Sequence, residues 1–381
     1  MLGINSNINS LVAQQNLSGS QSALSQAITR LSSGKRINSA ADDAAGLAIS
    51  TRMQSQINGL NQGVSNSNDG VSMIQTASSA LSSLTSSLQR IRQLAVQAST
   101  GSLSSSDQAA LQKEVSAQIS EVNRIASQTT YNGTNILDGS AGSVSFQVGA
   151  NVGQTISLDL SQSMSAAKIG GGLVQTGATV GTVAVSLDAA GAYTATGAAI
   201  TAVNVLSDGK GGYTFTDQNN QAIAAGVAGA IFSSGTAAGT GTAITTLALS
   251  AGATTTAGAG SAAQVAAVAQ INAINSPPTV SGLDISTVTG ANQAMVSIDN
   301  ALQTVNTLQA SLGAAQNRFT AIATSQQAES TDLSSAQSQI TDANFAQETA
   351  NLSKAQVLQQ AGISVLAQAN SLPQQVLKLL Q

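Results

Sequence analysis

Both ends of the chain carry apolar residues three and four positions apart, on a background that lacks charge. Residues 1–29 and 355–377 contain no Asp, Glu, Lys or Arg. The spacing predicts helices with an apolar stripe, but a solvated helix normally carries Lys and Glu on its other face. Here that face is Gln, Asn and Ser, which indicates burial against something. The stripe residues predicted to pack are Leu11, Leu17, Leu24, Ile28, Leu31, Leu352, Leu358, Val365, Leu372, Val376 and Leu379.

The uncharged ends are expected to become ordered by docking, because an isolated helix of about 15 residues is marginal in water. Their stripes indicate that they dock on each other. Their outer faces can then meet further copies of the chain without burying unpaired charge. A contact between copies that does not close on itself propagates as a helical filament. The alternative is that both ends are ordinary core helices of one globule.

Two internal seams predict long helices. Apolar residues repeat by threes and fours over residues 71–95 and again over 295–322, as in coiled coils. Their similar lengths predict that the two helices pack side by side. A third helix is predicted over residues 105–127, with Ser105 and Gln108 as a capping box.

The residues between these helices alternate apolar and polar, which predicts strands. Residues 144–148 and 156–160 alternate in this way, and the link 149–154 predicts a hairpin. From about residue 170 to 260 Gly, Ala and Thr dominate, and short alternating pieces predict a small β domain. Residues 207–212 predict another hairpin loop in it. Disorder is the alternative for this part of the chain.

The composition excludes several classes of function. The chain has no His and no Cys, so imidazole bases, thiol nucleophiles, thiolate zinc sites and disulfides are ruled out. Asp42-Asp43 could suggest paired acid/base carboxylates, but their place before a helical stretch favours a helix start. Any catalysis would have to rest on carboxylates, Lys or hydroxyls alone.

The charge and hydropathy patterns exclude two kinds of partner. The net charge of −4 and the lack of a basic stretch argue against nucleic-acid binding. No window of about 18 apolar residues predicts a membrane-spanning helix. The first residues lack a basic region and an apolar run, so no cleaved signal peptide is expected. Export without a cleaved signal remains open.

Four stretches of the chain resemble bacterial flagellins. Near the beginning these are Arg30–Gly46 (RLSSGKRINSAADDAAG) and Leu88–Gln97 (LQRIRQLAVQ). Near the end they are Ser353–Asn370 (SKAQVLQQAGISVLAQAN) and Pro373–Leu380 (PQQVLKLL). The similarity covers roughly residues 1–165 and 285–381. The middle carries no such match.

The resemblance implies a fold that is mainly α with a β-rich middle. Both chain ends would form a long antiparallel coiled coil and helical bundle, with a β-hairpin beside it and a small β/loop-rich variable domain. The implied segments are an inner core of 1–40 and 342–381, a helical bundle plus hairpin over 41–172, a variable outer domain over 173–282 and a bundle helix over 283–341.

The resemblance also implies a function and a location. The chain would be a structural subunit, without enzymatic activity or cofactor, that self-assembles into the extracellular flagellar filament used for motility. It would leave the cell unfolded through the flagellar type III export apparatus, aided by a chaperone. It would polymerise with copies of itself beneath a cap protein, onto hook-associated junction proteins. No membrane insertion is implied.

Host recognition is a further implication. Flagellins sensed by a Toll-like receptor supply an Arg, a Leu and a Glu, and Arg90, Leu94 and Glu114 stand at the matching positions. Gln93 departs from the motif, which commonly has Glu there. The extreme C-terminal residues, Val376, Leu377, Leu379 and Leu380, resemble those read by cytosolic innate sensors. For Leu94 and Leu379 packing in the filament is the first interpretation, and receptor contact is the second.

Two other functions stay open from the sequence. A hook–filament junction protein shares terminal signatures with flagellin, although it should lack the closing PQQVLKLL match. A secreted adhesin built on the β-rich middle is the alternative from a different class.

Overall fold

The computed structural model describes residues 7–190, 192–194, 196–232, 247–250 and 262–379, with the backbone alone at 225, 230 and 372–379. Its helices are α1 Ile8–Ser33, α2 Ala44–Ala98, α3 Ser105–Gln128, α4 Ala225–Ile231, α5 Ala262–Asn275, α6 Val288–Thr341 and α7 Phe345–Leu379. Its strands are β1 Thr130–Tyr131, β2 Thr134–Asn135, β3 Gly142–Gln147, β4 Thr155–Leu160, β5 Thr179–Leu187, β6 Ile200–Ser207 and β7 Tyr213–Asp217. The predicted fold class, mainly α with a β-rich middle, is confirmed.

The chain divides into two compact units. The terminal unit consists of Met1–Ser67, Gln147–Thr155 and Ala321–Gln381. The central unit consists of Asn68–Phe146 and Ile156–Thr320. Helices α2 and α6 each contribute residues to both units.

In the terminal unit, α1 pairs with α7 in antiparallel orientation. Asn7 caps α1 by accepting the Ser10 backbone N–H, and its side chain also donates to the Ala369 carbonyl. Helix α1 ends at Gly34, whose φ of 68° is the left-handed conformation that favours glycine at a helix end. Beyond it, Lys35 forms a β-bridge with Asp342. This bridge therefore joins the connection between α1 and α2 to the connection between α6 and α7.

Within the same unit, two glycines of α2 let the loop between β3 and β4 pack closely against this helix. A Cβ on Gly63 would overlap the Val148 carbonyl oxygen, and one on Gly59 would lie 2.8 Å from Ala150 Cβ. The Gln326 side chain of α6 donates to the same Val148 carbonyl. Only a helix face without side chains lets the loop backbone approach this closely.

The central unit has a helical core built from the two predicted seams. In α2 the buried side chains include Ile74, Leu81, Leu84, Leu88 and Ile91, and in α6 they include Ile298, Val305, Leu308, Leu312 and Phe319. Phe319 packs edge-on against Phe146 at a centroid distance of 5.3 Å, and its ring also fills the place where Gly70 lacks a side chain. The spacing by threes and fours therefore identified core positions correctly.

Helix α3 begins as predicted, but its cap is one residue earlier. Ser104, not Ser105, is the N-cap, and Asp107, not Gln108, completes the capping box. The predicted Ser105/Gln108 box is wrong because Asp107 lies three positions after Ser104 and accepts its backbone N–H at 3.2 Å. Gln112 of α3 also donates to the Leu283 carbonyl and accepts from the Ile285 N–H, which ties the chain before α6 to the bundle.

The β-rich middle folds around a three-stranded antiparallel sheet with order β5-β6-β7. Its core side chains include Val180, Val183, Leu187, Val203, Val205, Ile231, Phe232, Val268 and Ile271. The sequence predicts no helix over residues 262–275, where the structure has α5. Helix α5 packs so closely on β5 that a Cβ on Gly181 would overlap Ile271. Strands β3 and β4 form the predicted hairpin as a sheet of their own.

Candidate functional site

The α1–α7 helix pair is held together by small residues. Ala13 and Ala27 of α1 are buried, as are Ala355 and Ala369 of α7. Gly362 faces Leu17, whose Cδ1 would lie 3.3 Å from a Cβ at that position. Small residues let two helix backbones approach closely, so the buried positions of the contact are alanines, while Leu17 packs at its edge and several larger aliphatic side chains stay outside it.

Large aliphatic side chains consequently face outward from this pair. Leu11 is 71% exposed and Val357 is 65% exposed. The other exposed aliphatic and aromatic side chains of these helices are Ile8, Val12, Ile28, Phe345, Leu358, Ile363 and Val365. Single exposed aliphatics are ordinary, but nine such side chains on one helix pair are typical of an interaction surface. They lie on several sides of the pair, and Leu11 and Val357, each two residues from a buried alanine, point away from the partner helix. We call these nine side chains, together with the groove described next, the aliphatic face.

An open groove of 530 Å³ lies between α1 and α7 within this face. Ala13, Gly19 and Ala23 line it from α1, and Leu358, Gly362 and Val365 line it from α7. Its walls are apolar with Gln and Asn at the edge, and no charged residue lines it. The groove has room for a large side chain, because small residues form one of its walls.

Charge on this helix pair is concentrated at one end. Arg30 lies 4.0 Å from both Asp42 and Glu348, which brings one cation between two carboxylates. Asp42 also accepts hydrogen bonds from Gln26 and from the Ser39 backbone, which hold the pKa of its carboxyl below the ordinary value. Asp43 accepts from the Gly46 backbone N–H at the start of α2, as the sequence predicted for this pair.

The structure separates the predicted packing residues into three groups. Leu17, Leu24, Leu31 and Leu352 are half-buried, whereas Leu11, Ile28, Leu358 and Val365 are exposed. The side chains of Leu372, Val376 and Leu379 lie outside the described residues, as does all of Leu380. Their role in subunit packing therefore stays a prediction.

The predicted packing residues are all large and leave out the small residues that join the two helices. Ala13, Ser20 and Ala27 recur every seventh position in α1, and Ala355, Gly362 and Ala369 do so in α7. A small residue once per heptad on both helices is a readable signal for close packing. The larger stripe residues concealed it.

The predicted receptor contacts lie on α2 and α3 in the central unit. Arg90 forms an ion pair with Glu114 at 2.6 Å, and their side chains are 48% and 40% exposed. The Arg90 guanidinium also donates to Gln93 at 3.4 Å. Leu94 is 1% exposed, so its side chain packs in the helical core. A direct contact of Leu94 with a receptor stays a prediction.

The described residues contain no cluster of three or more carboxylates that could hold a metal ion. None of the helices in the described ranges combines the length and hydropathy that a membrane span requires.

The paired terminal helices, the helical core and the inserted sheet define a helical structural protein. Residues 4–142 match the bacterial flagellin N-terminal helical region, and residues 295–380 match the bacterial flagellin C-terminal helical region. Residues 172–275 match the flagellin D2 domain, so the middle, which showed no motif resemblance, also has a counterpart. The chain belongs to the bacterial flagellin family, a family of structural proteins.

Individual relatives match over the full length. The B-type flagellin of Pseudomonas aeruginosa is 37% identical over alignments that cover 100% of both chains. Flagellin B of Vibrio cholerae serotype O1 is 37% identical and covers 100% of this chain and 99% of its own. The structure of FliC from Burkholderia pseudomallei is 66% identical over 65% of this chain and 99% of its own, with a TM-score of 0.59.

Proposed function

We propose that this chain polymerises into an extracellular flagellar filament through the aliphatic face of its terminal helix pair. The observation that carries the proposal is this face, on which Leu11 and Val357 remain exposed while the helices pair through alanines. Membership of the flagellin family supports a filament subunit.

The face suits contacts between copies because it combines projecting aliphatic side chains with an uncharged groove. Burying one large aliphatic side chain stabilises a contact by roughly 1.5–3 kcal/mol. Gln and Asn at the edges can pair with the same groups on a neighbouring copy without desolvating an ion. A repeated contact between two different patches extends as an open helix and does not close into a dimer.

Self-assembly is tested by substitutions on exposed residues. The double variant Leu11→Gln, Val357→Gln should fold as the wild type does, because both side chains are exposed. Its critical concentration for filament formation, measured by sedimentation and electron microscopy, should rise by about tenfold or more. The control is Val265→Gln, which alters a 57% exposed valine on α5. Filaments from the double variant at the wild-type concentration would contradict the proposal.

Removal of residues 1–29 or 350–381 gives a second test. Either truncation deletes one partner of the helix pair, and the remaining chain should stay soluble without polymerising. Ordinary filaments from either truncated chain would exclude assembly through the terminal helices.

We propose the predicted segments as layers of the filament. Residues 1–40 and 342–381 would form its inner core, residues 41–172 and 283–341 the layer around it, and residues 173–282 the outer surface. The segments share this order with the three matched flagellin regions.

We also propose an export route and assembly partners, which the family resemblance supports. The chain would leave the cell unfolded by the flagellar export route without a cleaved signal, bound beforehand by a chaperone. Cap and hook-associated junction proteins would contact it in the growing filament. The absence of cysteine supports passage of an unfolded chain, since no disulfide can form within it.

Host-receptor recognition is proposed at the exposed pair Arg90 and Glu114, with buried Leu94 supporting α2 beneath it. Replacing Arg90 and Glu114 together by Ala should lower activation of receptor-reporter cells by the monomer. The exposed pair Arg124–Glu121 on α3 provides a matched control. Equal loss in both double variants would argue against a specific contact.

The two alternative functions are not favoured. The full-length relatives described above are flagellins, which argues against a junction protein. The flagellin D2 match of residues 172–275 gives the middle a family counterpart and removes the need for an unrelated adhesin.

A further inference from the structure

The turn between β1 and β2 exposes an Asn-Gly dipeptide. Asn132 has a φ of 49° and Gly133 one of 78°, which is the left-handed pair of a type I′ turn. Tyr131 pairs with Thr134 across the turn. Both turn residues are exposed, and the described structure gives the Asn132 carboxamide no hydrogen-bond partner.

We propose that Asn132 is a site of spontaneous deamidation in the folded protein. The backbone nitrogen of Gly133 attacks the Asn132 side-chain carbonyl carbon and loses its proton, while ammonia leaves. The resulting five-membered succinimide then takes up water at either carbonyl. The products are aspartate and isoaspartate at this position. Water is the only co-reactant, and glycine favours the reaction because it has no side chain to hinder the attacking nitrogen.

The folded turn slows this reaction only while the two strands of its hairpin remain paired. In the left-handed conformation the Gly133 nitrogen does not point at the side-chain carbonyl, so the Asn132 backbone must first rotate toward the extended region. This hairpin is held by two residue pairs, Thr130–Asn135 and Tyr131–Thr134, and by the Ile136 N–H donated to the Thr129 carbonyl. So short a hairpin opens locally at low free-energy cost.

The chain carries an internal comparison at Asn58-Gly59. This second Asn-Gly lies in the interior of α2, where the Gly59 N–H is donated to the carbonyl four residues earlier. The Asn58 side chain accepts a hydrogen bond from Gln54 at 3.0 Å, and Ala150 packs on Gly59. Reaction there requires several helix hydrogen bonds and a packing contact to break together.

Modification would change the turn in two ways. Either product adds a negative charge where the side chain had none. Isoaspartate also adds one carbon to the backbone, which is incompatible with the register Thr130–Asn135. The strand after the turn leads directly into Ile136 and Leu137, which are fully buried. The hairpin should therefore fray while these two anchors hold.

The experiment is a time course of the full-length protein in mildly alkaline buffer, followed by peptide mapping with mass spectrometry. The fraction of the Asn132 peptide that exchanges NH₂ for OH should grow at least roughly ten times faster than that of the Asn58 peptide in the folded protein. In denaturant the two peptides should react at similar rates. Labelling by an isoaspartyl methyltransferase should assign isoaspartate to the Asn132 peptide.

The variant Asn132→Ser is the control, and its corresponding peptide should show no such change while Asn58 behaves as in the wild type. Isomerisation at Asp-Gly sequences leaves the mass unchanged, so the mass readout separates it from deamidation. The proposal is overturned if Asn132 in the folded protein is still unmodified at the time when Asn132 in the denatured protein has reacted completely. Equal rates at Asn132 and Asn58 in the folded protein would also overturn it.

Discussion

At the scale of single residues, glycines decide where the backbone can approach a helix. Replacement of Gly63 by Ala should destabilise the terminal unit by about 2 kcal/mol, because the new methyl group overlaps the Val148 carbonyl and displaces the loop. Hydrogen exchange of residues 147–155 should rise. The control is Gly313→Ala on α6, where nothing lies within 4 Å, and it should stabilise by about 1 kcal/mol. Unchanged exchange in the Gly63 variant would contradict this account.

Asp42 gives a residue-scale prediction for pH dependence. Hydrogen bonds from Gln26 and the Ser39 backbone lower the pKa of its carboxyl in the folded state. Its contribution to stability is therefore present above the unfolded pKa, near 3.8, and is lost as the pH falls through the lower folded value. Asp42→Asn should reduce the thermal midpoint at neutral pH and flatten the acid-side decline. Asp332→Asn makes the same charge change at an exposed position of α6 and controls for the change in net charge.

At the scale of elements, the same type of loop, held by an aspartate carboxylate, follows each strand of the three-stranded sheet. Asp188, Asp208 and Asp217 each accept the backbone N–H groups two and four residues later. Asp208→Ala should cost about 1–3 kcal/mol, because both charge-assisted bonds of the β6–β7 loop disappear. Hydrogen exchange measures this loss, and the amides of β7 should exchange faster in the variant. Asn219→Ala, within the neighbouring loop, is expected to leave them unchanged.

These elements differ in how far the sequence could predict them. The seam through Leu84 and Leu88 was readable because large side chains with helical spacing are buried there. On the terminal helices the buried residues are alanines, and of the large stripe residues some are half-buried and others exposed, so the same rule predicted the helices but only part of their contact. Helix α5 could not be predicted, because its sequence has no charged residue to mark its ends. In the structure it packs closely against Gly181 of β5. The Arg90–Glu114 pair depends on the separation of α2 and α3 in space, which spacing along the chain does not give.

At the scale of the whole molecule, the distribution of charge predicts which forces drive assembly. Residues 1–29 and 355–377 carry no charge, and all of the aliphatic face except Phe345 lies within them. Assembly should thus depend on apolar burial, with electrostatic attraction between copies as a minor contribution.

Salt type should separate these two forces. Sulfate strengthens apolar burial because it is excluded from protein surfaces, whereas moderate sodium chloride mainly screens charges. The critical concentration for filament formation should therefore fall several-fold in sulfate and change little in chloride at equal ionic strength. A tenfold fall corresponds to about 1.4 kcal/mol of additional free energy of association.

The variant Arg30→Gln, which removes the cation between Asp42 and Glu348, tests the charged end of the helix pair. If assembly is driven by the aliphatic face, this variant should keep the wild-type response to sulfate, even where its helix pair is less stable. A chloride effect as large as that of sulfate, abolished by Arg30→Gln, would instead place the driving force in ion pairs.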